Sequence, residues 1–465
     1  MTGGKAIMVN ARSFVLHLAP LSLVAMLLVV LNIIVPVVSA ADPTPTALLA
    51  SFIAVGPMTT PRSGHSSTLL PNGNILLAGG QSGDSTIGQS AEVYDHLTSS
   101  FSAISSMTYR RANHTSSLLQ DGRVLIAGGF SSAYDWTSSV APAELFDPMT
   151  NAFSIVGPMN HRRYDHIAVT LPNGKVLVAG GVGDNQNRIA VAELYDPVTR
   201  AFSLSGSLNL WREVPRANLL DNGKVLITGG TPSYGYYDGT AAAEVFDPDN
   251  ETFTYVGSMN APRLYHSATK LLDGRVLIVG GMNGTNFSAS AEIYSPLTQT
   301  FAMAGSLHTA RAAHAAVLLS DGRVLVAGGY VDMTNRTATA EIFDPATGAF
   351  ISVDPMQAAT AFSEATRLQS GNVLLTGGRV GPITSINPTS LAELFQPGSG
   401  LGAPSPGLQS AGGVAERLLL DETAAMPEQA SQVDSLPTRE AAPAGIILVL
   451  AASTLYLRRR YACNR

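Results

Sequence analysis

Five Arg-x-x-His pairs punctuate this chain: Arg62/His65, Arg111/His114, Arg163/His166, Arg263/His266 and Arg311/His314. Five imidazoles brought to one axis could bind a metal, because neutral imidazole ligates zinc, copper, iron and nickel. The competing role is structural, with each Arg and His hydrogen-bonded within or between units, and repetition favours it. A fourth copy has Arg212 with Pro215 in the His slot, and a seventh has Thr360 and Ser363. Seven glutamates recur in step: Glu92, Glu144, Glu193, Glu244, Glu292, Glu341 and Glu393. Seven acids in equivalent positions cannot all be catalytic. They are expected to pair with the Arg of the same or a neighbouring unit, or to accept backbone N–H bonds.

A second set departs from the repetition and is more telling for function. Tyr134, Trp136, Arg162, Tyr164, Trp211, Arg212, Tyr234, Tyr236 and Tyr237 fall in connecting segments, with Asp135, Asp165, Glu213 and Asp238 among them. Flat apolar rings mixed with directional hydrogen-bonding groups suit a carbohydrate or peptide surface. The plainer alternative is that some of these rings pack the loops onto the scaffold.

The elements that must position these residues follow from a Gly-Gly pair. It recurs seven times, from Gly79-Gly80 to Gly377-Gly378, at spacings of 48 to 52 residues. Units this small cannot bury their own apolar faces, so neighbouring units must share a core. Within a unit, two short apolar runs flank Asn-Gly, Asp-Gly or Ser-Gly, which predicts a hairpin with a type I′ turn. A third run follows, as in Ala340-Glu341-Ile342-Phe343, then an Asp-Pro turn and a Phe-led fourth run. Each unit therefore reads as a four-stranded antiparallel meander, a propeller blade. The seventh lacks a fourth run, and residues 52–58 match one in form. They are expected to complete the last blade and close an all-β, seven-bladed ring, since an open ring would leave an unpaired edge. The connections from second to third strand, 9 to 13 residues long, should share one face with the blade-to-blade loops, the other face having tight turns.

The Gly pairs, the Arg-x-x-His, the Ala-Glu-(Leu/Val/Ile)-(Tyr/Phe) run and the Asp-Pro turn resemble the kelch motif, in the form found in galactose-oxidase-like propeller domains. The resemblance covers about 345 of 465 residues. It implies a copper radical oxidase only if a tyrosine can be cross-linked to a cysteine inside the propeller, and the single cysteine, Cys463, lies near the C-terminus. Tyr265-His266 matches a family Tyr-His dipeptide at a position every repeat uses. No cofactor is expected. A cofactor-free sugar enzyme of mutarotase or lyase type stays open, needing only one or two placed acids or bases.

Outside the ring, residues 1–40 read as a signal peptide. An apolar stretch from Phe14 to Val38 precedes Val38-Ser39-Ala40, small residues where signal peptidase cuts, with an uncleaved span as the alternative. Residues 41–51 form a leader, and 52–397 the propeller. Residues 398–440, rich in Gly, Pro, Ser and Ala, form a flexible linker. Residues 441–465 hold a 17-residue apolar segment, Ala441 to Leu457, and then Arg458-Arg459-Arg460, a membrane anchor or sorting tail with the arginines cytoplasmic. Charged residues are 13% of the chain and the net charge is −6, with no basic cluster in the body, so nucleic acid is not an expected partner. The expectation is an exported, surface-associated, monomeric propeller that binds a glycan or protein through its long-loop face.

Overall fold

A computed structural model of the chain describes residues 50–83, 88–132, 138–233, 237–381 and 387–398. The expected signal peptide and C-terminal tail, with nearly all of the leader and linker, lie outside the described residues. Seven four-stranded antiparallel sheets are present, and the first strands of successive blades touch in a closed cycle. The molecule is a seven-bladed β-propeller. Among the described residues the one helical element is a 3-10 turn, Asp184–Gln186, and no helix is long and apolar enough to cross a membrane.

Every second strand is buried along its whole length, from Ile75–Ala78 in blade one to Val373–Thr376 in blade seven. Such strands cannot alternate apolar and polar residues, because both faces meet neighbouring blades. The core is accordingly divided into seven apolar slabs, one between each pair of adjacent blades. No blade has a core of its own. Each fully buried Leu, Ile or Val contributes about 1.5–3 kcal/mol, so blades stabilise one another pairwise around the ring.

The last blade is built from both ends of the propeller. Strand Ser51–Ala54 pairs antiparallel with Ala392–Gln396, Ser51 lying opposite Gln396 and Phe52 opposite Phe395. The strand is shorter than residues 52–58, although the N–H groups of Val55 and Met58 still bond Ala392 O and Ser390 O. Phe52 and Phe395 stack at 4.9 Å. The six other blades pair a third-strand aromatic with a fourth-strand Phe at 4.8–5.0 Å, so Phe52 occupies the place a fourth strand supplies elsewhere. Deleting residues 50–58 is expected to expose the edge of Ala392–Gln396 and produce aggregation on heating. Size-exclusion chromatography with a thermal melt checks this, and an unchanged melting temperature in the truncated protein would refute it.

The hairpin turns differ from the type I′ expectation. At Leu70-Pro71-Asn72-Gly73, only the glycine has positive φ (87°). Gly73 N–H bonds Leu70 O at 2.9 Å and Leu70 N–H bonds Asn74 O at 2.8 Å. This is a type I turn followed by a left-handed glycine, a three-residue loop. Pro71 sits at the position where its fixed φ suits type I, and the other six hairpins repeat the pattern.

Candidate functional site

The repeated arginines, histidines and glutamates are spent on the scaffold. In blade five, Arg263 Nη2 bonds Glu292 at 2.7 Å, while Nη1 donates to Gly280 O at 2.6 Å and Ser290 O at 3.0 Å. Glu292 also accepts the Asn260 N–H at 2.6 Å. Six blades contain such a pair, arginine and glutamate always in the same blade and both buried. Arg212, expected on the ligand-binding surface, is one of them. It is wholly buried against Glu244, Gly229 O and Ala242 O. Its position in the repeat, not its aromatic neighbour Trp211, decides its place.

The imidazoles do not converge. Each turns towards the preceding blade, its Nε2 2.8–3.1 Å from a hydroxyl: Thr376 for His65, Ser66 for His114, Thr115 for His166, Thr228 for His266 and Ser267 for His314. Nδ1 of every one is buried without a partner, which favours the neutral ring with its proton on Nε2. Burial, then the neighbouring arginine, holds His65, His114 and His314 down at about 3. The glycine pairs complete the joint. The second glycine's N–H bonds the carbonyl of the next blade's Arg62, Arg111, Arg163, Arg212, Arg263, Arg311 or Thr360 at 2.7–3.0 Å. A Cβ on Gly128 would come 2.4 Å from Arg163 O and 2.5 Å from the His166 ring, so only glycine fits.

A different ring marks the long-loop face. Gly64, Asn113, Asp165, Val214, Tyr265, Ala313 and Phe362 precede the first strands, all at φ of 53–62°. Left-handed backbone is costly for residues other than glycine, and it collects at ligand sites and switches. Here five blade-to-blade hydrogen bonds of 2.9–3.1 Å, such as Asp165 N–H to Asn113 O and Phe362 N–H to Ala313 O, offset that cost. The ring surrounds the axis on the face where second strands end in their Gly pairs.

This axial mouth has two unlike halves. Over blades five to seven, Tyr265 meets Phe362 edge-on at 5.2 Å, and Tyr330 meets Phe362 at 5.9 Å. Phe287 and Tyr237 pack into the same patch. Over blades one to three stand Gln81, Asn113 and Asp165, with Asn113 Nδ2 donating to Asp165 Oδ1 at 2.8 Å. Arg379 joins the halves, its guanidinium 4.9 Å over the Phe362 ring and its Nη2 3.1 Å from Gln81 Oε1. Two residues beyond Val214 and Phe362, Arg216 and Glu364 face each other electrostatically inside the ring.

Enclosure dominates the electrostatics. Burial pushes the Asp165 carboxyl up to about 6, against the Asn113 hydrogen bond, Arg379 and Arg216. Burial, Asp165 and Glu213 raise the Tyr265 phenol. Glu364 reaches solvent, yet the enclosing ring still raises its carboxyl, with Arg216 opposing. An acid poised near neutrality among aromatic rings and a guanidinium can accept or donate a hydrogen bond to a hydroxyl-rich ligand.

Of the expected site residues, Arg162, Tyr164, Trp211 and Tyr237 lie on this face. Arg162 is exposed, 3.7 Å from Asp184. Tyr164 meets Phe130 edge-on at 5.5 Å, and the Arg188 guanidinium lies 4.4 Å over Trp211. Tyr134, Trp136, Tyr234 and Tyr236 lie outside the described residues. Missed were Arg216, Phe362, Glu364 and Arg379. Two of them carried a readable signal: Arg216 and Glu364 occupy a strand position held elsewhere by Ser66, Thr115, Ile167, Ser267 and Ala315.

The mouth does not fit copper. Copper(II) takes nitrogen and oxygen ligands in tetragonal array, whereas the five strand imidazoles are buried and face neighbouring blades. Among the described residues no group of three or more His, Cys, Asp or Glu is placed to hold a metal.

A family model described as "Kelch motif" matches residues 263–308 and 311–357, which belong to blades five and six. No curated protein matches the sequence. Among solved structures, a novel fungal alcohol oxidase with catalytic diversity among the AA5 family, in complex with copper, is similar with a TM-score of 0.62. It is 19% identical, over 75% of this chain and 76% of that one. In all, 1048 solved chains match, and at such identity the likeness establishes fold alone.

Proposed function

The chain is a kelch-repeat protein, and we propose that it is a binding module whose long-loop face takes a glycan. A kelch propeller supports binders and enzymes alike, so the choice rests on the mouth. Its carrying observation is the division into an aromatic half around Phe362 and a polar half around Asp165, bridged by Arg379. Sugars present an apolar ring face and directional hydroxyls, and such a site matches both. In this reading the protein is exported and held at the cell surface. The apolar stretch 14–38 before Val38-Ser39-Ala40 and the apolar segment 441–457 before three arginines support that placement.

The test is a glycan-array screen of the purified protein, followed by affinities for the best ligand in Asp165→Asn, Arg379→Ala and Trp211→Ala. Loss of a hydrogen bond to a charged group costs about 1.5–3 kcal/mol, so the first two are expected to weaken binding at least about tenfold at unchanged melting temperature. An array without hits, or affinity unchanged in both, would refute the proposal. One observation favours a second reading, a cofactor-free carbohydrate-active enzyme: an acid titrating near neutrality in a cleft suits general acid–base catalysis. Turnover of a bound sugar, abolished in Asp165→Asn while binding persists, would select it.

A further inference from the structure

Six blades fill the space between second and third strands with their own guanidinium, and blade seven does not. Its entry position is Thr360, and among the described residues no Arg, Lys or His pairs with Glu393. Glu393 is 94% buried, 6% of it being exposed, and accepts the Gln357 N–H at 2.9 Å. Elsewhere the guanidinium serves three acceptors: the first glycine's carbonyl, the carbonyl two residues before the glutamate, and the glutamate. In blade seven the Ser363 hydroxyl takes over one of them, lying 3.0 Å from Gly377 O and 2.9 Å from Thr360 Oγ1. The other two lack that donor, although the Leu391 carbonyl still accepts the Gly377 N–H at 2.9 Å. A cavity lies between them, bounded by Met356, Thr360, Ser363, Gly377, Leu391 and Glu393.

We propose that this cavity is a binding site for a small cation of the ammonium class, seated where the other blades carry a guanidinium nitrogen. The site is independent of the glycan face. A buried carboxylate stripped of its counter-ion is costly by several kcal/mol, and the six sister blades display the arrangement that neutralises it. Glu393 supplies the charge, the Leu391 carbonyl and the Thr360 and Ser363 hydroxyls supply neutral oxygens, and Met356 closes the apolar side. Without a cation the carboxylate is left to take a proton, and burial raises Glu393 in that direction.

The full-length protein is to be melted at mildly alkaline pH in low-millimolar guanidinium, ammonium or tetramethylammonium chloride, at matched ionic strength. The expected result is a melting temperature a few degrees higher in ammonium than in guanidinium or tetramethylammonium, which are too large to enter a space of about one water. Thr360→Arg should fill the cavity from within, and Glu393→Gln should remove its charge, so both should abolish the difference. Equal melting in all three salts, or a response retained in Glu393→Gln, would overturn the proposal. Should Thr360→Arg fail to fold, Glu393→Gln decides alone, since it is isosteric.

Discussion

Acidification from neutrality to about pH 5 is expected to unfold this propeller cooperatively, and the five strand histidines are the reason. Their rings are buried between blades and pair through Nε2 alone. An unfolded chain protonates each imidazole below 6.5, whereas His65, His114 and His314 stay neutral in the fold down to about 3. His166 and His266 are held well below the ordinary value too. The unfolded state therefore binds more protons throughout that window. Stability is fully present above 6.5 and is lost as the pH falls towards 3. Each ring costs up to about 1.4 kcal/mol per pH unit, hence about 7 kcal/mol for five, against a usual total of about 5–15 kcal/mol. Asp165, Glu364 and Glu393 act oppositely, because raised carboxyls bind protons in the fold first. Three such groups reduce the loss without reversing it. Circular dichroism against pH measures the midpoint, and His114→Gln should lower it. A fold intact below about pH 4, or a midpoint that His114→Gln leaves unmoved, would contradict this account.

Arg263→Met should destabilise the protein by about 3–5 kcal/mol, more than replacing Arg263 and Glu292 together by Met and Leu. The single change removes the cation and leaves a fully buried carboxylate with backbone and Asn260 donors alone. The double change removes the charge as well and leaves apolar groups in an enclosed space. It still forfeits the bonds from Arg263 to the Gly280 and Ser290 carbonyls, so it is not expected to be neutral. Urea unfolding of wild type, single and double variants gives the three midpoints. A single variant within about 1 kcal/mol of wild type would show that the pairs do not carry the stability assigned to them.

The fold was legible because its determinants repeat. The Gly pairs, the turn dipeptides and the third-strand glutamates occupy fixed places in each unit, and a ring multiplies any local preference by seven. Closure by residues near Phe52 could be read because a Phe-led run was missing at one end and in surplus at the other. The turn type was misread because Asn-Gly is compatible with both a two- and a three-residue loop. Pro71 and Pro172, which suit the longer one, were the available clue. The site was harder. Aromatic-rich loops attract notice in a sequence, and Tyr164, Trp211 and Tyr237 do share the long-loop face, yet Arg212 was misplaced by following its neighbour instead of its repeat position. The axial residues lie inside the strands and their entries, where a regular pattern hides them. Arg216 and Glu364 stand out only when the seven first strands are aligned and the charged exceptions sought. Phe362 and Arg379 give no comparable sign, since the partners they meet, Tyr265 and Tyr330 for Phe362 and Ser63 and Gln81 for Arg379, come from other blades.

Ser51 lies opposite Gln396, so the propeller's chain enters and departs side by side at the outer edge of blade seven. That point is on the rim of the tight turns, where third strands finish, and the axial mouth opens on the other rim. A leash fastened to either terminus would thus grip the disc from behind. The aromatic basin would look away from the attachment, and neither strand end would stand in a visitor's way.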